Sequence, residues 1–353
     1  MPMNKLTQNP RVTVLMPVFN REEYLKEAIE SILGQTYRDF EFIIIDDGSK
    51  DRSLEIIKSF KDERIKTLIN QKNLGISASL NRGLEIARGA YVAGMHSDDI
   101  SLPQRLEKQV RFMDRNPEIG VCGTWLEFFG ERGGTLKHPS DPEEIKAGML
   151  FYPFICHAAV ILRRETFKRF NLSYDTEYKC TEDYELWTRA IRHFNFSNIQ
   201  DALYKYRIHF SQISNLHKDT QMAEIAKIRL KQLRDLGLEP TEEELAIHNA
   251  IRNSWMWVSE ALKSNLDFAQ RAEKWFYKII QVNRKNKIYE EKALLNTLGT
   301  MWFGIWQEIP REELSSEDIK IFFLGSPLSS GITFSDREGF VLEYLEDTAR
   351  DYL

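Results

Sequence analysis

The sequence has few cysteines, no long apolar run and no excess of basic residues, and each shortage excludes a class of protein. Cys122, Cys156 and Cys180 are far apart and form no CxxC pair, which argues against a disulfide framework or a cysteine zinc site. No uninterrupted apolar stretch approaches the roughly 20 residues of a membrane-spanning helix. The net charge of −5 argues against nonspecific nucleic-acid binding, which requires a basic surface.

The length and the composition predict two regions in one globular chain. At 353 residues the chain exceeds the roughly 250–300 residues that a single core supports. Hydrophobic residues at 42% and charged residues at 29% are typical of a soluble protein. The first ten residues, MPMNKLTQNP, lack the apolar segment of a signal peptide. We therefore expect a cytoplasmic protein with an α/β domain over residues 1–215 and a helical domain over residues 216–353.

Strand and helix patterns alternate through the first half of the chain. Apolar runs predict strands at Arg11–Met16, Phe40–Ile45, Ile65–Ile69 and Ala90–Met95. Helical periodicity predicts helices between them, at Glu22–Leu33, Ser53–Phe60 and Ile76–Arg88. This order indicates a parallel sheet with right-handed crossovers, as in nucleotide-binding folds. Further elements are predicted at Leu102–Asn116 and Glu182–Arg192 (helices) and at 121–129, His157–Leu162 and Ala202–Ile208 (strands).

The C-terminal region is predicted to be almost wholly helical. Thr241 with Glu244, and Ser335 with Glu338, have the spacing of a capping box. Five of the seven tryptophans lie between residues 255 and 306, which favours the core of a small helical bundle. The alternative is a membrane- or partner-facing patch at Leu294–Trp306, and the composition leaves homodimerisation and peripheral membrane contact open.

Acidic residues occur at three places where predicted elements begin or end. Asp46–Ser49 closes one apolar run, His96–Asp99 closes another, and Thr181–Asp183 opens a helix. Carboxylates at the carboxyl ends of strands lie in the crevice where open α/β sheets bind ligands. The three positions suggest three tasks: holding a nucleoside, holding a divalent metal and accepting a proton.

The turn after the first strand, PVFNRE at residues 17–22, has two interpretations. It is an ordinary strand-to-helix turn with Asn20 as the N-cap, or one wall of a nucleobase pocket with Phe19 as the flat aromatic. The neighbouring Asp47 could accept a hydrogen bond from a uracil N3–H or a ribose hydroxyl. Asp46 and Asp47 could equally belong to a turn that caps the next helix.

Taken in order, these turns resemble those of family 2 glycosyltransferases with the GT-A fold. The similarity covers roughly residues 10–215 and includes PVFNRE, the DDGS turn, residues 73–92, SDD and TEDYELW. The resemblance implies a Rossmann-like, mixed and mainly parallel sheet flanked by helices. It also implies an inverting sugar transfer from a nucleoside diphosphate, usually UDP, with Mn²⁺ or Mg²⁺.

The resemblance further implies roles for individual residues. Asp98 matches the metal-binding aspartate of the family's DXD motif, and Asp183 matches the catalytic base. Glu182 either positions the acceptor or complements the helix N-terminus. His209, in the closing YRIH segment, is implied to lie near the diphosphate or the metal. The residues implied around the nucleotide are Pro17, Phe19, Glu22, Asp47, Asn73, Gly75, His96 and Ser97.

Three other residues of the resemblance keep two interpretations each. His96 replaces the first aspartate of the DXD motif, and it either ligates Mn²⁺ or bonds the ribose, or is a tolerated substitution without a role. His157 either lines the acceptor cleft or is a core histidine. Arg207 either approaches the phosphates or is an ordinary polar residue at a strand end.

The leading hypothesis is an inverting, metal-assisted transfer of a sugar from a UDP-sugar to a saccharide or lipid-linked acceptor in glycan biosynthesis. It places the protein in the cytoplasm, with the inner face of the membrane as an alternative. A nucleotidyltransferase is disfavoured because PVFNREE contains no glycine. A non-catalytic GT-A scaffold is disfavoured because Asp98, Asp99, Glu182 and Asp183 are all present.

Overall fold

The computed structural model describes residues 9–210, 212, 217–251, 265–310, 314–315, 326 and 328. The chain divides into two compact units, Met1–Ile145 with Pro153–Ile225, and Lys146–Tyr152 with Ala226–Leu353. This division assigns residues 217–225 to the first unit and residues 146–152 to the second. The division into a catalytic domain before residue 215 and a helical domain after it stays a prediction.

The first four strands are parallel, as the sequence predicts. They are β1 (Val12–Val18), β2 (Phe40–Asp46), β3 (Ile65–Ile69) and β4 (Tyr91–Gly94), in the order β3-β2-β1-β4. The connecting helices are α1 (Leu25–Leu33), α2 (Ser53–Ser59) and α3 (Ile76–Ile86). β2 is buried along its whole length, as expected for a central strand of a parallel sheet covered on both faces.

The second half of the first unit extends the sheet with mixed pairing. Its elements are β5 (Ile100–Ser101), α4 (Arg105–Arg115), β6 (Ile119–Gly130), β7 (Gly134–Leu136), α5 (Pro142–Gly148, whose last residues belong to the second unit), β8 (Ile161–Arg163), α6 (Arg164–Arg169), α7 (Glu182–Ala190) and β9 (Asn195–Ile208). β8 is antiparallel to β4 and β6, whereas β6 and β9 are parallel. The result is a nine-stranded mixed sheet in the order β3-β2-β1-β4-β8-β6-β9-β5, with β7 on β6. The predicted α/β fold class is confirmed.

Among the predicted element boundaries that are wrong, those in three regions have identifiable reasons. The predicted strand His157–Leu162 begins with a 3₁₀ turn, His157–Ala159, and the strand starts only at Ile161. The turn brings the carbonyl oxygen of His157 so close to Gly94 that a Cβ there would lie 2.6 Å from it. The last strand begins at Asn195 rather than at Ala202, because bulges in the β6–β9 ladder allow it to continue past irregular pairing.

The third difference concerns the turn after β1. Pro17 lies within β1 instead of ending it. The ladder between β1 and β4 stops at the pair Leu15 and Gly94, so no N–H is needed from Pro17. Helix α1 begins at Leu25 instead of Glu22, with no side-chain cap. Asn20 therefore does not cap the helix.

At Gly89, just before β4, the backbone passes close to the backbone of β1 and to that of Tyr91. A Cβ at Gly89 would lie 2.4 Å from the amide nitrogen of Thr13 and 2.6 Å from the carbonyl oxygen of Tyr91. We expect Gly89→Ala to lower the free energy of unfolding by about 1–3 kcal/mol, the usual cost of overpacking. The control is Gly133→Ala, because a Cβ at Gly133 meets no atom within 4 Å. Denaturant titration of both variants tests this, and equal stabilities would contradict it.

The second unit is helical in its described residues. Its helices are α8 (Lys218–Leu236, which begins in the first unit), α9 (Glu242–Ala250), α10 (Leu266–Asn286) and α11 (Glu291–Gln307). The capping box of Thr241 and Glu244 is confirmed, whereas the one predicted at Ser335 and Glu338 lies outside the described residues.

The tryptophans of the second unit test the two interpretations of its apolar segment. Trp275, Trp302 and Trp306 belong to its buried core, together with apolar residues of α11, which confirms the core interpretation for them. Trp255 and Trp257 lie outside the described residues. In the described part of the chain, no helix is long and apolar enough to cross a membrane.

Candidate active site

The carboxylate of Asp47, directly after β2, organises the loop that leads into α3. It accepts hydrogen bonds from the Asn70 side chain at 2.6 Å and from the backbone N–H groups of Leu74 and Gly75 at 2.9 Å each. The side chain of Asn73 also accepts from Gly75 N–H, at 3.0 Å. Asp47, Asn73 and Gly75 are thus brought together as predicted, but Asp47 acts first as a support for the loop.

The loops after β1 and β2 are tied to each other by reciprocal hydrogen bonds. The N–H of Asn20 donates to Ser49 Oγ at 3.0 Å, and the N–H of Lys50 donates to Asn20 Oδ1 at 2.9 Å. Glu22 accepts from the N–H of Arg52 at 2.9 Å. Asn20 and Glu22 therefore fix this rim of the cleft. Phe19, on the same loop, is 38% exposed and is available to stack on a planar ligand.

A cluster of potential metal ligands lies beyond β4. A ring nitrogen of His96 and one carboxylate oxygen each of Asp98 and Asp99 lie within 4.8 Å of one another. His209 Nε2 is 3.1 Å from Asp98 Oδ2, and Arg21 Nε is 3.4 Å from the same oxygen. The structure thus brings together three predicted residues, His96, Asp98 and His209, and adds Asp99 and Arg21.

The two carboxylates of this cluster have opposite pKa shifts. Burial raises the pKa of Asp98, but the hydrogen bond from His209 and the charge of Arg21 bring it below its usual value. Burial and the negative charge of Asp98 raise the pKa of Asp99 well above its usual value. Asp98 is therefore the carboxylate that carries the negative charge.

Asp99 and Arg207 hold the shape of this turn. Asp99 accepts from the Tyr204 hydroxyl at 3.0 Å and from the N–H of Arg207 at 2.8 Å. The Arg207 side chain donates to the carbonyl oxygen of Asp98 at 2.7 Å and to Glu27 at 2.5 Å. The Arg207 guanidinium is thus engaged in fixing the position of Asp98. Ser97, predicted at the nucleotide, is buried in the same turn.

Glu182 and Asp183 lie in the first turn of α7, where Glu182 is buried and Asp183 is partly buried. Asp183 Oδ1 accepts a hydrogen bond from the N–H of Tyr184 at 2.7 Å. Burial raises the pKa of Asp183, and burial with the charge of Asp183 raises the pKa of Glu182 well above its usual value. A carboxylate with a raised pKa is a stronger proton acceptor than an exposed one, which suits a general base.

Glu224 of α8 fixes the segment that precedes Asp183. Its carboxylate accepts hydrogen bonds from the N–H of Lys179 at 2.9 Å, the N–H of Cys180 at 3.0 Å and the hydroxyl of Thr181 at 2.8 Å. All four residues belong to the first unit, although Glu224 lies beyond the predicted boundary at 215. The sequence gives no signal for this role, because a glutamate on a helix is ordinary.

We expect Glu224→Ala to lower the transfer rate by about tenfold and the free energy of unfolding by about 1–3 kcal/mol, because three groups lose a charged partner. Glu224→Gln, which keeps one oxygen acceptor, should fall between wild type and Glu224→Ala. Asp219→Asn, an exposed change in the first turn of α8, is the control. Steady-state kinetics with thermal unfolding measures both effects. Wild-type kinetics in Glu224→Ala would contradict this positioning role.

His157 is buried and both of its ring nitrogens are hydrogen-bonded, so it is a satisfied core histidine, one of the two interpretations from the sequence. His157 Nδ1 is hydrogen-bonded to His96 Nε2 at 3.2 Å. His157 Nε2 is hydrogen-bonded to the Tyr174 hydroxyl at 2.8 Å. Burial lowers the pKa of His96 and of His157 to about 4 each, so both rings are neutral near pH 7.

The donor atoms of the cluster suit a divalent metal. Carboxylate oxygens and imidazole nitrogens are ligands that Mn²⁺ accepts, whereas Mg²⁺ strongly prefers oxygen. Asp98 supplies an ionised carboxylate, and the buried imidazole of His209 already contacts it. The residues present therefore fit a metal site.

Comparison with known proteins gives the family. The model of glycosyl transferase family 2 matches residues 13–170. An uncharacterized glycosyltransferase of Methanocaldococcus jannaschii is 40% identical over 209 residues, 56% of this chain and 71% of that protein. The O-antigen biosynthesis glycosyltransferase WbnJ of Escherichia coli is 32% identical over 227 residues, 61% of this chain and 84% of that protein.

Solved structures support the same fold. TarS 1–349 of S. aureus, in complex with UDP-GlcNAc, aligns with a TM-score of 0.56 at 19% identity, over 93% of this chain and 92% of that one. The mannosyltransferase PcManGT of Pyrobaculum calidifontis, in complex with GDP-Man and Mn²⁺, aligns with a TM-score of 0.52 at 16% identity, over 92% and 86%. The fold and the relatives together define a glycosyltransferase with the GT-A fold. The chain belongs to glycosyl transferase family 2.

Proposed function

We propose that this glycosyltransferase moves a sugar from a UDP-sugar to a hydroxyl of a saccharide or lipid-linked acceptor, with inversion, in polysaccharide or O-antigen biosynthesis. The E. coli relative is named for O-antigen biosynthesis, and TarS was solved with UDP-GlcNAc. The observation that carries the proposal is the partly buried Asp183, with its raised pKa, in the same unit as the Asp98–His209 pair.

In this proposal the nucleotide lies against the loops that follow β1, β2 and β3. Phe19 stacks on the base, and the loop held by Asp47 presents backbone groups of Asn73 and Gly75. Support comes from the exposure of Phe19 and from the hydrogen bonds of Asp47. Pro17, Glu22, His96 and Ser97 complete the proposed set of nucleotide-binding residues.

Asp98 and His209 would hold Mn²⁺ or Mg²⁺. When bound, the metal neutralises negative charge on the diphosphate leaving group. Asp183 removes the proton from the acceptor hydroxyl as its oxygen forms the new bond to the anomeric carbon. The bond from that carbon to the diphosphate oxygen breaks, and its electron pair leaves with the diphosphate. Glu182, beside the base, positions the acceptor.

The division of labour in the chain is also a proposal. Residues 1–215 would carry catalysis and residues 216–353 would form a helical domain for dimerisation, peripheral membrane contact or acceptor binding. The proposed location is the cytoplasm, including the inner face of the membrane.

A screen of UDP-, GDP- and CDP-sugars, with and without Mn²⁺, tests the proposal on the full chain. Thermal shift measures binding, because a ligand at a hundredfold excess over Kd stabilises by about 2.7 kcal/mol. We expect stabilisation by a UDP-sugar that increases with the metal, and slow hydrolysis that requires the metal. Tight UDP-sugar binding without turnover under any acceptor would favour the scaffold alternative, and preference for a GDP-sugar would overturn the UDP assignment.

A further inference from the structure

His96, His157 and Tyr174 form a hydrogen-bonded line, which we call the histidine–tyrosine chain. The contacts are 3.2 Å between the two rings and 2.8 Å between His157 and the hydroxyl. His157 and Tyr174 are each 6% exposed. The proposed reaction uses neither His157 nor Tyr174.

The protons along this line can be arranged in only two ways, because each neutral ring carries one N–H. In the first arrangement Tyr174 donates to His157 Nε2, His157 Nδ1–H donates to His96 Nε2, and His96 carries its proton on Nδ1. In the second arrangement His96 Nε2–H donates to His157 Nδ1, and His157 Nε2–H donates to the Tyr174 oxygen. His96 Nδ1 then carries a lone pair and no proton.

The environment of Tyr174 favours the first arrangement. Its hydroxyl makes no hydrogen bond, other than the one to His157, with any residue that the structure describes. The cavity beside it has mainly apolar walls, including Leu80 and Leu84. In the second arrangement the hydroxyl proton would be buried without an acceptor, which is the more costly way to leave a polar group unmatched.

The environment of His96 favours the same arrangement from the other end. His96 Nδ1 lies 3.7 Å from Asp99 Oδ2, and a carboxylate oxygen of Asp98 lies within 4.8 Å of a ring nitrogen of His96. An N–H directed toward carboxylate oxygens is electrostatically favourable, whereas a lone pair is not. Both ends of the line therefore select the same tautomer.

We propose that Tyr174 and His157 are positioning residues that hold His96 as a neutral donor, with its Nδ1–H directed to an oxygen of the nucleotide-sugar. The ligand in this statement rests on the proposed function, whereas the tautomer does not. An ionised aspartate, the usual residue of the family at this position, can only accept a hydrogen bond. In this chain His96 would donate one instead. The metal is then held without His96.

Nuclear magnetic resonance of the full chain, with ¹⁵N-labelled histidine rings and no ligand, tests the tautomer directly. We expect His96 and His157 to be protonated on Nδ1, with their signals identified by His96→Ala and His157→Ala. A proton on Nε2 of His96 would overturn the proposal. Tyr174→Phe should lower the Nδ1–H fraction of both rings. Tyr91→Phe, which removes another buried hydroxyl, bonded to Asp114 at 2.6 Å, should leave it unchanged.

Binding measurements test the role of the donor. An asparagine at position 96 keeps an N–H near the place of Nδ1, whereas an aspartate offers only acceptors. With EDTA present, we expect His96→Asp to weaken UDP binding by about tenfold and His96→Asn by about threefold or less. Tighter UDP binding by His96→Asp would overturn the proposed donor.

Titration with Mn²⁺ alone tests the metal ligands. His96→Ala should keep the wild-type affinity within about twofold, and a tenfold loss would show that His96 is a ligand, against the proposal. If wild type binds no UDP while both rings are protonated on Nδ1, the proposed function fails and the tautomer assignment stands. The two failures are therefore distinguishable.

Discussion

Replacing Asp183 by asparagine should lower the rate of sugar transfer by about 10²–10⁴-fold, the usual contribution of a general base. The amide keeps the shape of the side chain and an oxygen to accept the hydrogen bond from Tyr184 N–H, which measures 2.7 Å in the structure. It cannot take a proton from an acceptor hydroxyl. Affinity for the UDP-sugar should stay within about threefold of wild type, because Asp183 has no proposed contact with the nucleotide.

Protein stability separates this catalytic effect from damage to the fold. Because the pKa of Asp183 is raised, the folded state loses stability as the pH rises from the usual aspartate pKa to the raised one, and the full penalty remains at higher pH. The asparagine variant lacks this penalty, so its melting temperature near neutral pH should equal or exceed that of wild type. Glu177→Gln, an exposed change in the preceding loop, is the matched control and should keep full activity. Full activity in Asp183→Asn would reject the base assignment.

The pH profile gives a second test of the same residue. The base must be ionised, so the rate falls as the pH drops through the raised pKa of Asp183, above the value of about 4 that is usual for aspartate. The negative charge of Asp183 adds to the rise in the pKa of the neighbouring Glu182, so Glu182 is still uncharged where Asp183 ionises. Glu182→Gln should therefore leave the acid limb of the profile in place.

Replacing Asp98 by asparagine should weaken Mn²⁺-dependent UDP binding by about 100-fold or more, since outer-shell partners alone contribute 10–100-fold at metal sites. Asp98 is the ionised carboxylate of the cluster, and its oxygen already lies 3.1 Å from His209 and 3.4 Å from Arg21. Removing its charge leaves the proposed site without its principal oxygen ligand. Isothermal titration with UDP, with and without Mn²⁺, measures the loss.

Asp99→Asn is the informative comparison for Asp98. Asp99 is buried and bonded to Tyr204 and to the N–H of Arg207, so its substitution should affect stability more than metal affinity. Asp98→Asn should show the opposite balance. Equal UDP affinity of Asp98→Asn and wild type in both metal conditions would contradict the assignment of Asp98 as a ligand.

The fold was predictable where burial alone decides the secondary structure. β2 is buried throughout and apolar at five of the six positions from Phe40 to Ile45, so it is recognisable as a strand without knowledge of its neighbours. His157–Ala159 is just as buried but forms a turn, because the neighbouring backbone at Gly94 sets its path. A local apolar pattern reports burial, and it cannot report which long-range neighbour bends the chain.

The candidate site was predictable as a set of turns but not as a set of contacts. The resemblance assigns Asp98 and His209 together, and the structure places them 3.1 Å apart. It gives no signal for Tyr174 or Glu224, whose roles depend on partners far away in the sequence. Glu224 reaches residues more than forty positions before it, at a separation that sequence spacing alone does not connect.

The contacts of Arg207 and His209 have a consequence for the order in which the chain acquires its function during synthesis. Both residues lie at the end of β9, more than one hundred positions after the Asp98 that they hold. A nascent chain that has completed β1 to β4 already possesses the loops proposed for the nucleotide, yet it lacks the residues that close the metal cluster. In the proposed mechanism the metal cluster therefore closes only with the last strand, and a chain that ends before it has no complete site with which to consume the sugar donor.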